Sequence, residues 1–139
     1  LEKLDHIVVA RRRNYQYLYD GLKDIPGIIL PVAESNSNPS WFGFLIAVKE
    51  DAGFTRNELT SYLEDNKVQT RNLFAGNIIK HPAFDEMRKL GEGYRVVGKL
   101  KNTDYIMNSG FWIGVYPGMT KEMLDWMITC IKDFCKRRA

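Results

Sequence analysis

Two long stretches of helical periodicity bracket this chain, and the strand-like runs between them are too closely linked for a series of crossover helices. Leu1, Leu4, Val8, Tyr15, Leu18 and Leu22 recur at heptad-like intervals, which predicts one amphipathic helix over residues 1–22, stopped by Gly21 and the Pro26-Gly27 pair. At the other end Thr120 caps a helix over residues 120–138 whose Leu124, Met127, Ile128, Ile131 and Phe134 share one side. Between them lie a short apolar run at 28–32, a polar loop at 34–40, and strands predicted over 41–49, 68–74 and 111–116. Thr55-x-x-Glu58 is a capping box, with Phe54 and Leu59 placed as a hydrophobic staple; the helix it opens buries Leu59, Tyr62 and Leu63. Asn102-Thr103-Asp104 predicts a further short helix that Gly110 stops. The order helix, strand, strand, helix, strand, short helix, strand, helix predicts an α+β fold: a small, mostly antiparallel sheet with helices packed on one face.

A length of 139 residues fits a single domain over 1–139, and a globule of that size buries roughly two-thirds of its unfolded surface. The sheet with its inserted helices is expected over 28–118. With 45% apolar, 12% aromatic and 27% charged residues the chain is too apolar for disorder. A net charge of +3 creates no field that implies nucleic acid. The clusters Arg11-Arg12-Arg13 and Lys136-Arg137-Arg138 fall within helical patterns and read as solvated faces. No apolar run reaches the roughly 18 residues of a membrane span, and no signal-peptide pattern leads the chain, so no membrane partner is expected. Cys130 and Cys135, about 140° apart on one helix, suit neither a disulfide nor a shared metal, which favours a reducing, cytoplasmic location. Leu1 already lies inside a helical pattern, and the expectation is a fragment of something longer.

Most site chemistry finds no support. His6 and His81 have no second ligand at metal spacing, neither cysteine has a histidine beside it, and Gly91-Glu92-Gly93 is too short for a phosphate-binding fingerprint. The stretch RNLFAGNIIKHPAF is different. Arg71 would share a strand face with Gln69 and Leu73, a half-buried setting in which a guanidinium needs a partner: a helix carboxylate in an internal ion pair, or an anionic ligand. Asn77, after Gly76, suits a hydroxyl-rich ligand or simply a turn, and His81-Pro82 reads as a loop stop. Trp41, Phe42, Phe44, Phe111, Trp112 and Tyr116 read as sheet core.

Several stretches together carry a family likeness. LEKLDHIVVARRRNYQYLYDGL resembles the helix that follows the large domain in DegT-type sugar aminotransferases and dehydratases, vitamin-B6-dependent enzymes of nucleotide-linked sugars. NTDYIMNSGFWIGVYPGMTKEMLDWM resembles the closing segment of that family, and QTRNLFAGN with NPSWFGF resembles its CDP-4-keto-6-deoxy-D-glucose 3-dehydrase branch, of lipopolysaccharide and 3,6-dideoxyhexose biosynthesis. Aminotransferase members tend to carry Pro-Leu-His shortly before Pro-x-aromatic. Aligned on Pro82-Ala83-Phe84, this chain has Asn77-Ile78-Ile79, so Ile79 stands in the histidine's place, a departure that supports the dehydrase branch.

The resemblance implies the small C-terminal domain of a fold-type I transferase, inactive alone, over the mouth of a pocket built by an absent large domain. In the whole enzyme it implies pyridoxal or pyridoxamine phosphate, an iron-sulfur cluster held by cysteines outside this chain, and loss of the sugar's C3 hydroxyl. Its partners would be a nucleotide-linked sugar, a reductase, the chain's own large domain and, as a homodimer, a second copy. Arg71, Phe74 and Asn77 are then expected on the substrate side, with Arg71 facing an anionic group; no catalytic, cofactor-binding or metal-binding residue is expected within the chain. The alternatives are the small domain of a nucleotide-sugar aminotransferase and a non-catalytic α+β binding or dimerisation module.

Overall fold

The computed structural model describes residues 1–138; Ala139, the last residue of the expected domain, lies outside the described residues. The first helix, α1, spans Leu4–Leu22, followed by strands β1 (Ile28–Ile29) and β2 (Gly43–Val48), helix α2 (Arg56–Asp65) and strand β3 (Thr70–Asn72). Two single-turn 3-10 helices, Ile78–Lys80 and Pro82–Phe84, lead into α3 (Asp85–Leu90); α4 (Lys101–Ser109), β4 (Gly110–Gly114) and α5 (Lys121–Arg138) complete the order. The four strands form one antiparallel sheet in the order β1-β2-β4-β3, with helices on one face, so the expected α+β fold is the observed one.

Period-2 alternation decides which side chains face the helices. Phe44 and Ile46 of β2, with Phe111 and Ile113 of β4, are wholly or almost wholly buried. They meet Leu18 and Leu22 of α1, Leu59 and Leu63 of α2 and Ile131 of α5 in one apolar core. The capping box holds as read: the Thr55 hydroxyl accepts from the Glu58 backbone N–H while the Glu58 carboxylate accepts from Thr55 N–H at 2.8 Å. Thr120 accepts from Met123 N–H at 3.3 Å to start α5.

Three expectations change. The stripe of α1 is buried only in its second half, at Tyr15, Leu18 and Leu22, whereas Leu1, Leu4, Ile7 and Val9 are exposed. The predicted strands over 41–49 and 68–74 shrink to 43–48 and 70–72, because Trp41 (φ 52°) and Phe74 (φ 40°) are in the left-handed region, which ends regular pairing. The arginine cluster of α1 is not simply solvated. Arg11 and Arg12 both donate to backbone carbonyls of the 38–42 loop.

Tyr15 ties the same loop to the core. Its ring stacks on Trp41 with centroids 3.8 Å apart and planes 3° from parallel, and its hydroxyl donates to Pro31 C=O at 3.0 Å. Burial, with a smaller contribution from Tyr19, pushes the phenol up to about 12. A fold that holds a phenol protonated above its ordinary range is stabilised below about pH 10 and loses that contribution as pH rises toward 12. Denaturant midpoints are therefore expected to fall between pH 10 and 12 in the parent protein and to fall less over that interval in Tyr15→Phe.

Candidate functional site

With α1, α2 and α5 on one side, the opposite face of the sheet carries the chain's most unusual surface. Leu45, Trp112 and Arg71 are cross-strand partners on β2, β4 and β3, so their side chains form one row across this open face. Phe42 and Phe74 flank Trp112, with ring centroids at 5.0 Å and 4.7 Å and interplanar angles of 52° and 77°. Both phenylalanines are largely in solvent, at 75% and 78% exposure. They wall an open groove of about 460 Å³ in which Gln69, Arg71 and Trp112 also take part.

Arg71 is exposed and has no carboxylate within 4 Å among the described residues, so the internal ion pair weighed from sequence does not form here. Its guanidinium donates to Thr70 C=O at 3.0 Å, and the Gln69 amide, turned with its oxygen toward it, accepts at 2.8 and 3.2 Å. These hydrogen-bond partners are neutral, and the nearest opposite charge, Glu64, lies beyond ion-pair contact. Glu64 is engaged by the Thr70 N–H at 2.5 Å and the Thr70 hydroxyl at 2.8 Å, which hold its carboxyl below the usual range, with a smaller lowering by the Arg71 charge. An exposed guanidinium beside aromatic rings can take an anionic group through paired hydrogen bonds while the rings take a planar or apolar part of the same ligand.

Asn77 sits elsewhere. It is 3% exposed, its amide donates to Asp104 Oδ1 at 2.7 Å, and its N–H points at Met107 Sδ at 3.3 Å. Lys80 closes on the other Asp104 oxygen at 2.9 Å, and Lys80 first, then Asn77, lower the Asp104 pKa. The structure thus brings Arg71 and Phe74 together on the groove and places Asn77 behind it, fastening the loop to α4. His81 is also a fastener: its Nε2 contacts Ala75 C=O, and Arg88 donates to the carbonyls of Ile79 and His81.

Gly76 lets this loop lie against α4. It has φ 59°, and a Cβ there would come within 2.6 Å of Met107 Cγ and 2.7 Å of Met107 Cβ. Gly76→Ala is expected to destabilise the fold by roughly 1–3 kcal/mol, combining a disfavoured backbone with overpacking, and urea unfolding would measure it.

Sequence reasoning assigned Phe42 and Trp112 to the core, and the structure moves both to the open face. Alternation between Phe111 and Ile113 contained the signal for Trp112. Phe42 had none, since it shares strand parity with buried Phe44 and is turned over only by the left-handed backbone at Trp41. Among the described residues no three His, Cys, Asp or Glu side chains gather as a metal site. Both cysteines are buried, and burial raises their thiol pKa values, that of Cys135 to about 11. No described helix is long and apolar enough to cross a membrane.

Comparison with known proteins gives this geometry its setting. The chain is 46% identical over 139 residues to a dTDP-4-dehydro-2,6-dideoxy-D-glucose 3-dehydratase of Saccharopolyspora spinosa, covering 100% of this chain and 29% of that protein. It is 46% identical over 135 residues to the lipopolysaccharide biosynthesis protein RfbH of Salmonella typhimurium, covering 96% of this chain and 30% of the relative. The solved E. coli GDP-4-keto-6-deoxy-D-mannose-3-dehydratase superimposes with a TM-score of 0.81 at 26% identity, over 95% of this chain and 32% of that one. The chain thus spans less than a third of the length of these relatives. The family model described as the DegT/DnrJ/EryC1/StrS aminotransferase family matches residues 1–132, and the chain belongs to that family.

Proposed function

We propose that residues 1–139 are the small C-terminal domain of a nucleotide-sugar 3-dehydratase that removes the C3 hydroxyl of CDP-4-keto-6-deoxy-D-glucose on a route to 3,6-dideoxyhexoses. The observation that supports the 3-dehydratase branch is a difference in identity: 46% to the 3-dehydratase of S. spinosa and to RfbH, against 28% to the GDP-4-keto-6-deoxy-D-mannose 3-dehydratase of E. coli O55:H7 and 27% to a dTDP-4-amino-4,6-dideoxy-D-glucose transaminase of Shigella dysenteriae. Ile79, in the place where aminotransferases of the family tend to carry histidine, favours the same branch. The CDP-linked sugar rests on the likeness of QTRNLFAGN and NPSWFGF.

In this reading the open face is turned toward the substrate. Arg71 pairs with an anionic group of the nucleotide, Phe74 and Phe42 shield the ligand from water, and Asn77 keeps the loop behind them in register. A vitamin-B6 cofactor needs a phosphate cradle, a lysine or another base at its reactive carbon, and a carboxylate at its ring nitrogen. The residues lining the groove offer one guanidinium and none of those groups, so they do not make the cofactor's site. Cofactor, iron-sulfur cluster and reductase contacts belong to the rest of the protein, which is cytoplasmic and dimeric in this reading, and the isolated domain is inactive.

The test is turnover of CDP-, dTDP- and GDP-linked 4-keto-6-deoxyhexoses by the longer protein that carries this domain, with an electron-supplying reductase in one arm and glutamate in the other. Loss of the C3 hydroxyl in the first arm supports the proposal. An amino sugar formed in the second makes the domain part of a transaminase, and no turnover in either returns the binding-module reading.

A further inference from the structure

Five consecutive carbonyls, those of residues 38–42, are all taken by two neighbouring arginines of α1. Arg11 Nε donates to Ser40 and Trp41 at 3.1 and 2.7 Å, and its Nη2 donates to Phe42 at 2.6 Å. Arg12 donates to Pro39 at 3.0 Å and to Asn38 at 2.7 Å. Sheet pairing begins only at Gly43. The loop is therefore held by guanidinium groups and by the Tyr15–Trp41 stack.

The chain leaving this clamp is the wall of the groove. Trp41 is in the left-handed region, where a side chain other than glycine is disfavoured, and that turn sends consecutive residues to opposite sides. Trp41 goes to Tyr15 on the helix side, and Phe42 goes to Trp112 on the open face. Without an external hold, an unpaired segment with a disfavoured dihedral would relax, and nothing else described fixes the Phe42 carbonyl.

We propose that Arg11 is a positioning residue for the substrate groove: by holding the carbonyls of residues 40–42 it sets where the Phe42 ring stands, while Arg12 anchors the segment behind. This rests on the reading of the open face as substrate-facing. Arg11 touches no ligand in this scheme and acts through Phe42. A guanidinium reaching three carbonyls in fixed geometry is poorly replaced by an ammonium, which has the charge without the planar fork.

The experiment uses the longer protein and whichever of the CDP-, dTDP- and GDP-linked 4-keto-6-deoxyhexoses it turns over fastest. R11Q is expected to raise KM by about tenfold with kcat changed less than about twofold, and to weaken the near-UV dichroism of the Tyr15–Trp41 stack. R11K should recover part of both. F42A should raise KM to a similar degree, and R11Q/F42A should be no worse than F42A, because both changes remove the same wall. The proposal is overturned if the effects of R11Q and F42A multiply, or if R11Q lowers the melting temperature while KM stays at the parent value. If F42A itself leaves KM unchanged, the substrate-facing reading of the groove fails instead. Should R11Q not fold, the comparison of R11K with R11K/F42A decides in the same way.

Discussion

Arg71→Ala, made in the longer protein that carries this domain, is expected to lower kcat/KM for the nucleotide-sugar by about ten- to a hundredfold while the melting temperature stays nearly unchanged. The magnitude is that of one charged hydrogen-bond pair, roughly 1.5–3 kcal/mol, removed from a bound anion. The unchanged stability follows from the geometry. Arg71 is exposed, and its described partners are the Thr70 carbonyl and the Gln69 amide, neither of them a buried charge left stranded by truncation. Arg71→Lys should recover only part of the loss, because an ammonium cannot make the two parallel bonds of a guanidinium. A steady-state titration alongside a thermal melt separates the outcomes: a lowered melting temperature with intact kinetics would assign Arg71 a purely structural role.

Phe111→Ala should do the reverse. The ring is 0% exposed on the helix side of β4, packed in the same cluster as Phe44 and Ile46. Deleting it removes buried apolar area and leaves a hole that rigid strand neighbours fill poorly, at a cost of about 3–5 kcal/mol. For a domain whose total stability is of the order of 5–15 kcal/mol, that is a large fraction. Urea unfolding of this domain alone should show a midpoint shift of that size. A loss below about 1 kcal/mol would mean that the core relaxes around β4 instead of being organised by it.

These two side chains also show where periodicity in the sequence was informative. Phe111, Ile113, Phe44 and Ile46 follow strict alternation, and the face they share was readable, as were the capping box at Thr55 and the buried side of α5. Arg71 was legible as a charge in an unexpected place, and family likeness gave it an expected role. Of the groove's two walls, Phe74 was expected from the family likeness, while Phe42 was not. Phe42 and Phe74 reach the open face because Trp41 and Phe74 take left-handed conformations at strand ends, and parity arguments assume an unbroken strand. Asn77 illustrates another limit. A residue that can both donate and accept looks the same in sequence whether it meets a ligand or, as here, the Asp104 carboxylate of a helix far along the chain. The carbonyl clamp of Arg11 and Arg12 was equally hidden, since three successive arginines on a helix read as a hydrated surface until the segment lying across them is known.

The two outermost strands of the sheet are very short: β1 has two residues and β3 three. Neither offers a ladder long enough to template a neighbouring molecule, so fibrillar growth by lateral strand addition is poorly supported at both borders. Sticking between copies, where it occurs, should be governed by aromatic contact and should respond to F42A or F74A, not to proline placed in a border strand.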